Sequence, residues 1–388
     1  MYHIHYLNTI SPQGTALWSN EYALSDSPQN CQAYLVRSAT MHDMVFTDEV
    51  LAIARAGAGV NNIPLERCSE QGIAVFNTPG ANANGVVELV ICGMLLGCRD
   101  IVDGINWVQS IKDGPDIAKQ IEKGKGKFAG HEIRHRNLGV IGLGAIGGSL
   151  ANAARQLGMN VYGYDPFISI DAAWHLDGHI IRVKTKEEIY ENCDIITLHT
   201  PLLDDTQKMI NADALNKMKK GVIILNFARD LLVDDDALEY ALKTGKVKRY
   251  ITDFPNAKTA GMKGVVAIPH LGASTEESED NCARMAVRQV MNYLENGNIS
   301  NSVNFPACDM GVCAKPARVM ILHRNIPNVL SKLTAAMADE NINISDLLNR
   351  SKGDYAYTML DLDGIPSEKV IRYLQTVAGV LRVRMIVK

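Results

Sequence analysis

Two side chains suited to holding an anion and moving a proton, Arg229 and His270, each close a short apolar run in this chain of 388 residues. Arg229 ends Asn226-Phe227-Ala228-Arg229, directly after the run GVIIL, and His270 ends VVAIPH. A guanidinium presents paired donors to a carboxylate or carbonyl oxygen. An imidazole titrates near neutral pH and can take a hydroxyl proton. Each has a plainer reading when taken alone, as a surface ion pair or a structural histidine. A third motif changes the balance. Gly142-Leu-Gly144-Ala-Ile-Gly147 follows the strand-like LGVIG and opens the helical GGSLANAARQLG. In that setting Gly142 permits a tight turn, Gly144 admits a pyrophosphate to the backbone, and Gly147 lets helix and strand pack closely. The helix N-terminus then offers unpaired N–H groups to the phosphates. Asp165 closes the next run, 18 residues beyond Gly147, where a carboxylate accepts from ribose hydroxyls and disfavours a 2′-phosphate, which selects NAD. Together these groups point to hydride transfer between NAD and a small 2-hydroxy acid.

Such groups need elements that deliver them to one edge of a sheet. β-branched runs with helical spacers cover residues 138–142, 161–165, 194–199, 221–226, 250–254 and 265–270, the pattern of buried parallel strands. Earlier, 33–36, 52–54 and 74–76 alternate with helical stretches such as 85–98, predicting a second parallel sheet covered by helices. A helix over about 274–296 follows, and 297–316, rich in Asn, Pro and Gly, reads as a linker. The remaining segment has the order β-α-β-β-α-β, the ferredoxin-like arrangement. The expected fold class is α/β, with two doubly wound, Rossmann-like parallel-sheet domains plus a C-terminal ferredoxin-like α+β domain. The expected boundaries are 1–99 with 274–300 for substrate binding, 100–273 for NAD, 301–315 for the linker and 316–388 for the last domain.

Composition narrows the class. Lys and Arg number 39 against 43 Asp and Glu, a net charge of −4, which provides no basic field for nucleic acid or an anionic membrane. The longest apolar stretch, 86–98, contains Glu88 and is too short to span a bilayer. The opening MYHIHYLN alternates like a strand and lacks the basic head and apolar core of a signal peptide. Eight cysteines without a CxxC or a tight Cys/His cluster fit reduced thiols in a cytoplasmic protein and offer no metal site.

Several phrases in fixed order closely resemble the D-2-hydroxyacid dehydrogenase family. They are RAGAGVNN (55–62), NTPGANANGVVELV (77–90), GLGAIG with Asp165, HTPLLDDT (199–206), NFARDLLVD (226–234) and PHLGAST (269–275). The resemblance implies that Arg229 binds the substrate carboxylate and His270 is the acid/base. It implies that Gly142, Gly144, Ala145, Ile146 and Gly147 meet the NAD pyrophosphate and that Asp165 meets the ribose. Thr200, Phe227, Ala228 and Gly272 would line the rest of the cofactor, with Asp253, Arg229 and His270 around its nicotinamide. One departure stands out. The family's phrase DVF-x-x-EP supplies a glutamate that orients the histidine, whereas this chain reads Thr252-Asp253-Phe254-Pro255-Asn256-Ala257-Lys258. Either another acid substitutes or His270 acts without one. An altered pH profile is expected, because a carboxylate raises a neighbouring imidazole's pKa.

Arg55 and Asn82 lie in the first two of those phrases. Their resemblance to phosphoglycerate-oxidising members of the family implies contacts with a substrate's phosphate and carboxylate. The reaction would then be oxidation of 3-phosphoglycerate to 3-phosphohydroxypyruvate, the entry to L-serine. Hydroxypyruvate and glyoxylate reductases share the cofactor half, and a non-catalytic NAD sensor is the alternative from another class. Near the C-terminus, His323-Arg-Asn325-Ile-Pro327, with Asn343 later, resembles an ACT domain. That likeness implies L-serine held by His323, Asn325 and Asn343 between subunits of a homodimer or homotetramer. A domain kept only for subunit contact is the other reading. Asn328 replaces the usual glycine there, and asparagine tolerates left-handed backbone.

Overall fold

The computed structural model describes all 388 residues. They form two compact units, Met1–Ala81 with Glu279–Lys388, and Asn82–Ser278.

In the first unit, β1 (Tyr2–Tyr6), β2 (Tyr22–Leu24), β3 (Ala33–Val36), β4 (Ala52–Arg55) and β5 (Ala74–Phe76) make a parallel sheet in the order β2-β1-β3-β4-β5. The central strand β3 (AYLV) is apolar and buried at every position, and β4 is so up to Arg55, because both faces are covered. Leu35, Ala54 and Phe76 pack against Ala286, Val287 and Val290 of the helix Glu276–Asn296. Tyr34, Val36, Ile53 and Val75 face Met41, Phe46 and Ile63.

The C-terminal residues of the same unit form an antiparallel sheet. The sequential order continues in the second unit with β6 (Asn137–Ile141), β7 (Asn160–Tyr164), β8 (Ile181–Arg182), β9 (Ile195–Leu198), β10 (Val222–Asn226), β11 (Val247–Thr252) and β12 (Val265–Ala267). The last four strands, β13 (Ala317–Arg324), β14 (Ile344–Lys352), β15 (Tyr355–Leu362) and β16 (Val380–Val387), are ordered β14-β15-β13-β16, with helices Val329–Asp339 and Glu368–Thr376 on one face. This is the ferredoxin-like βαββαβ pattern. Its other face puts Met320, Leu322, Tyr357 and Met359 into the core around helix Glu276–Asn296. Asn328 adopts φ 69°, ψ 0° before the first of these helices.

The stretch 301–315, expected as a linker, is packed instead. Ser302 bridges Phe76. The buried Asn304 accepts from the Val75 N–H at 2.9 Å and donates to Ser69 Oγ and the Ile73 carbonyl. A polar side chain that completes the hydrogen bonds of a sheet edge looks like a loop residue in the sequence.

In the second unit all seven strands are parallel, in the order β12-β11-β10-β9-β6-β7-β8. This is the dinucleotide-binding order, which reverses between β6 and β9. The helix Ala83–Cys98, assigned from the sequence to the first domain, belongs here, so this unit begins at residue 82 rather than 100. The cause is its small residues one turn apart. A Cβ on Gly93 would lie 2.7 Å from the Phe227 ring, and one on Gly97 would lie 2.8 Å from Ile223 and Ile251. No helix is long and apolar enough to cross a membrane.

Candidate active site

The turn after β6 sits at the reversal of strand order, where open α/β sheets bind ligands. Its three glycines meet three different demands. Gly142 has φ +93°, and a Cβ there would stand 2.5 Å from the His199 carbonyl oxygen. A Cβ on Gly147 would fall 1.9 Å from the Gly142 oxygen, so the helix Ala145–Gln156 rests directly on the turn. Gly144 meets nothing within 4 Å. It caps that helix without a side-chain hydrogen bond, which leaves the first N–H groups open. Ala145 and Ile146 form the helix's first turn. Asp165, after β7, is held by two backbone donors, Leu143 N–H to Oδ2 and Phe167 N–H to Oδ1, each at 2.9 Å.

Across the reversal, Thr200 follows β9, with its hydroxyl 3.7 Å from Met209 Sδ. The neighbouring His199 ring lies 2.9 Å from Thr197 Oγ1, and burial pushes its pKa down to about 4.

Arg229 follows β10 in a turn organised by Asn226, which is fully buried. Asn226 Oδ1 accepts from the N–H groups of Ala228 and Arg229, while Nδ2 donates to the Arg229 carbonyl and to Tyr250 Oη. Phe227 points down into the core. The Arg229 guanidinium lies 5.5 Å from the centre of the Phe254 ring, and the His270 ring is 4.3 Å from the same ring at 45°. Phe254 therefore packs against both groups that the sequence singles out. Asp253, 2% exposed, has its Oδ1 buried without a hydrogen-bond partner. Burial pushes its carboxyl above the usual range, while His270 and Arg229 pull the other way. Gly272 lies beside it; a Cβ there would be 3.3 Å from Asp253 Oδ2.

Residues 93–272 match the model of the D-isomer specific 2-hydroxyacid dehydrogenase NAD binding domain. The D-3-phosphoglycerate dehydrogenase of Haemophilus influenzae is 30% identical over 352 residues, covering 87% of this chain and 82% of that protein. The chain belongs to the D-isomer specific 2-hydroxyacid dehydrogenases. The human D-3-phosphoglycerate dehydrogenase is 35% identical over 289 residues, but there the match spans about half of the relative, 52%. Among solved structures, NAD+-bound 3-phosphoglycerate dehydrogenase of Entamoeba histolytica is similar with a TM-score of 0.59 and 26% identity, covering 78% of this chain and 98% of that one.

As an NAD-dependent dehydrogenase of this family, the chain has a site whose residues fit the cofactor. Gly144 leaves bare backbone at a helix N-terminus, and the orphaned Asp253 Oδ1 is a buried acceptor awaiting a donor such as a carboxamide. Lys258 stands five residues after Asp253. Its ammonium contacts Asp236 and lies 3.9 Å from Glu239, so it belongs to a surface ion cluster.

The remaining sequence-singled residues are dispersed. Arg55 ends β4, donating from Nε to the Arg37 carbonyl at 3.0 Å and from a terminal nitrogen to the Gly59 carbonyl. Asn82 caps the helix Ala83–Cys98 without using its side chain. His323 is 3% exposed with both ring nitrogens occupied, by the Arg324 carbonyl and by Thr358 Oγ1, and burial lowers its pKa. Asn325 donates to the Gly353 carbonyl, and Asn343 donates to Asp363. His323 pairs with Ala356 near the start of β15, while the Asn343 carbonyl meets the Asp363 N–H past its end. The three therefore do not converge within one chain. Sequence reasoning missed Asn226, Tyr250 and Phe254. Only the position of Asn226 at a strand end hinted at a role.

Proposed function

We propose that this dehydrogenase oxidises 3-phosphoglycerate to 3-phosphohydroxypyruvate with NAD. The observation that carries the chemistry is the Arg229–Phe254–His270 arrangement beside the unpartnered Asp253 oxygen. The names of the relatives support the choice of substrate. When bound, NAD supplies the hydride acceptor. Gly142, Gly144 and Gly147 with the first turn at Ala145 and Ile146 would hold its pyrophosphate, Asp165 its ribose, and Thr200, Ala228, Asp253 and Gly272 its nicotinamide end. Arg229 orients the substrate carboxylate through paired donors. His270 takes the C2 hydroxyl proton as general base. No carboxylate of its own unit bonds His270, so Phe254 packing takes over the ring's orientation. We assign the substrate's phosphate to Arg55 and a second substrate contact to Asn82.

The C-terminal domain is read as an ACT domain that binds L-serine between subunits of a homodimer or homotetramer. In support, Asn325 and Asn343 lie at opposite ends of one sheet, which a two-fold axis would bring together. His323, with both nitrogens occupied, would serve that site as structure rather than as a ligand. All eight cysteines are free, in keeping with work in the reducing cytoplasm.

The test is NADH-linked turnover of 3-phosphohydroxypyruvate against hydroxypyruvate and glyoxylate, each with and without L-serine. Preference for the phosphorylated acid is expected. Faster turnover of the unphosphorylated acids would make the protein a general reductase. NADH binding without turnover would make it a sensor.

A further inference from the structure

A cavity of about 480 Å³ opens at the amino-terminal edge of the seven-stranded sheet, the edge opposite the glycine turn. Four neighbouring parallel strands start there. Arg136 immediately precedes β6, Asp194 precedes β9, Lys219 and Lys220 precede β10, and Lys248 is the second residue of β11. His131 completes the polar lining, and Cys98, Ile195 and Leu242 supply an apolar floor. Strands of about five residues separate this cavity from the nucleotide turn by roughly 16 Å. Neither NAD nor substrate chemistry uses any of these groups.

The charges do not balance. Lys219 pairs with Asp194 at 3.0 Å, and Asp194 also accepts the Asn137 N–H. Within this unit no carboxylate lies within ion-pair reach of Arg136, Lys220 or Lys248. Arg136 and Lys248 are nonetheless half-buried. Both are close enough for their charge to pull the buried Cys98 thiol downward, against the larger upward push of burial. Gathering further cations at a partly desolvated site whose one acid is already paired is unfavourable unless an anion offsets them. A concave site with an apolar floor and convergent charged groups is the usual form of a small-ligand pocket.

We propose that this cavity binds a small organic anion with an apolar body and two or more negative charges. Arg136, Lys220 and Lys248 grip the charged end, and the Cys98–Ile195–Leu242 floor takes the apolar part. The site is separate from the active site and stands whether or not the substrate assignment holds.

The test uses the full chain saturated with NADH, so that the nucleotide site is blocked. The fluorescent probe 8-anilinonaphthalene-1-sulfonate is titrated in and then displaced with inorganic pyrophosphate, with ionic strength matched by chloride. Saturable binding of one probe per chain, displaced by pyrophosphate but not by chloride, is expected. Arg136→Glu with Lys248→Glu should raise the probe's Kd by at least about tenfold, and the exposed Lys220→Glu alone by about threefold, as loss of charge complementarity predicts. NADH affinity of each variant reports that the unit is folded. If the double variant fails that control, Lys220→Glu decides. Probe binding that ignores these charge reversals, or that pyrophosphate displaces no better than chloride, overturns the proposal.

Discussion

Phe254 packs against both Arg229 and His270. The centre of its ring lies 4.3 Å from that of His270 and 5.5 Å from the Arg229 guanidinium. No carboxylate of its own unit bonds His270, so the ring contact with Phe254 is the packing that can fix its direction, and it does so without adding charge. Phe254→Ala should therefore lower kcat by about 10- to 100-fold through misplacement of the base, with NADH affinity little changed. Phe254→Leu should recover part of the loss. Unchanged steady-state kcat in the alanine variant would show that His270 is held elsewhere. A second residue-scale consequence concerns His199. Its pKa is about 4 in the fold against 6.5 for a free imidazole, so between those values the unfolded chain binds the extra proton. Stability is then full above pH 6.5 and falls as pH drops toward 4. Urea unfolding at pH 7, 6 and 5 should show that slope, and His199→Gln should flatten it; an equally steep slope in the variant would remove His199 as its source. Arg229, His270, the glycines and Asp165 were legible in the sequence because each stands at a strand end in a spaced motif. Phe254 was not, because Arg229 and His270, which it touches, lie 25 and 16 residues away in sequence, and Asn226 was not, because an Asn at a strand end does not show that its side chain folds back on the next turn.

At the scale of elements, the glycine turn separates folding from binding. Gly147 cannot accept a Cβ because the Gly142 oxygen would be 1.9 Å away, whereas Gly144 has open space around it. Gly144 also has φ −69°, which any residue adopts. Gly144→Ala is thus expected to leave the thermal midpoint within about 2 °C of the parent, since nothing in the chain is crowded. The added methyl should weaken NADH binding by about tenfold or more, because it stands where a pyrophosphate must approach the backbone. Calorimetry beside a fluorescence titration checks both halves, and a large fall in the midpoint would mean that the turn itself resists the methyl. The longer strands were readable as β-branched runs. The edge strands β2 and β8, of three and two residues, carry too little pattern to register. The helix Ala83–Cys98 was visible as a helix but not as a member of the second unit, because a helix apolar nearly all round does not say which sheet it covers. Its Gly93 and Gly97, spaced by one turn, were the available clue.

At the scale of the whole molecule, the order of domains was legible, but not the packing of the last sheet into the first unit. That packing depends on Arg318, a charged residue with no exposed surface near the start of the apolar strand β13. Its guanidinium donates to both Asp361 oxygens at 2.6 and 2.8 Å, and to the carbonyls of Asn296, Met310 and Gly311. One side chain thus ties β13 and β15 to the end of the helix Glu276–Asn296 and to the segment after it. No local pattern announces such a tie, because its partners lie up to 43 residues away. Arg318→Met would leave Asp361 buried without its cation and the Asn296 and Met310 carbonyls without that donor, while Gly311 keeps Asn298. A loss of about 3–5 kcal/mol is expected, as for other broken buried ion pairs. Adding Asp361→Asn should recover part of it by removing the stranded charge. Arg318 lies in the first unit, whereas the nucleotide turn lies in the second. The denaturation midpoint should therefore fall while NADH affinity stays within about twofold of the parent, as for distant and independent sites. Urea unfolding followed by far-UV dichroism and by NADH fluorescence on the same samples separates the outcomes. If both probes shift together and the affinity drops in step, the two units unfold as one cooperative block, and the buried arginine secures the nucleotide site as well as the C-terminal sheet.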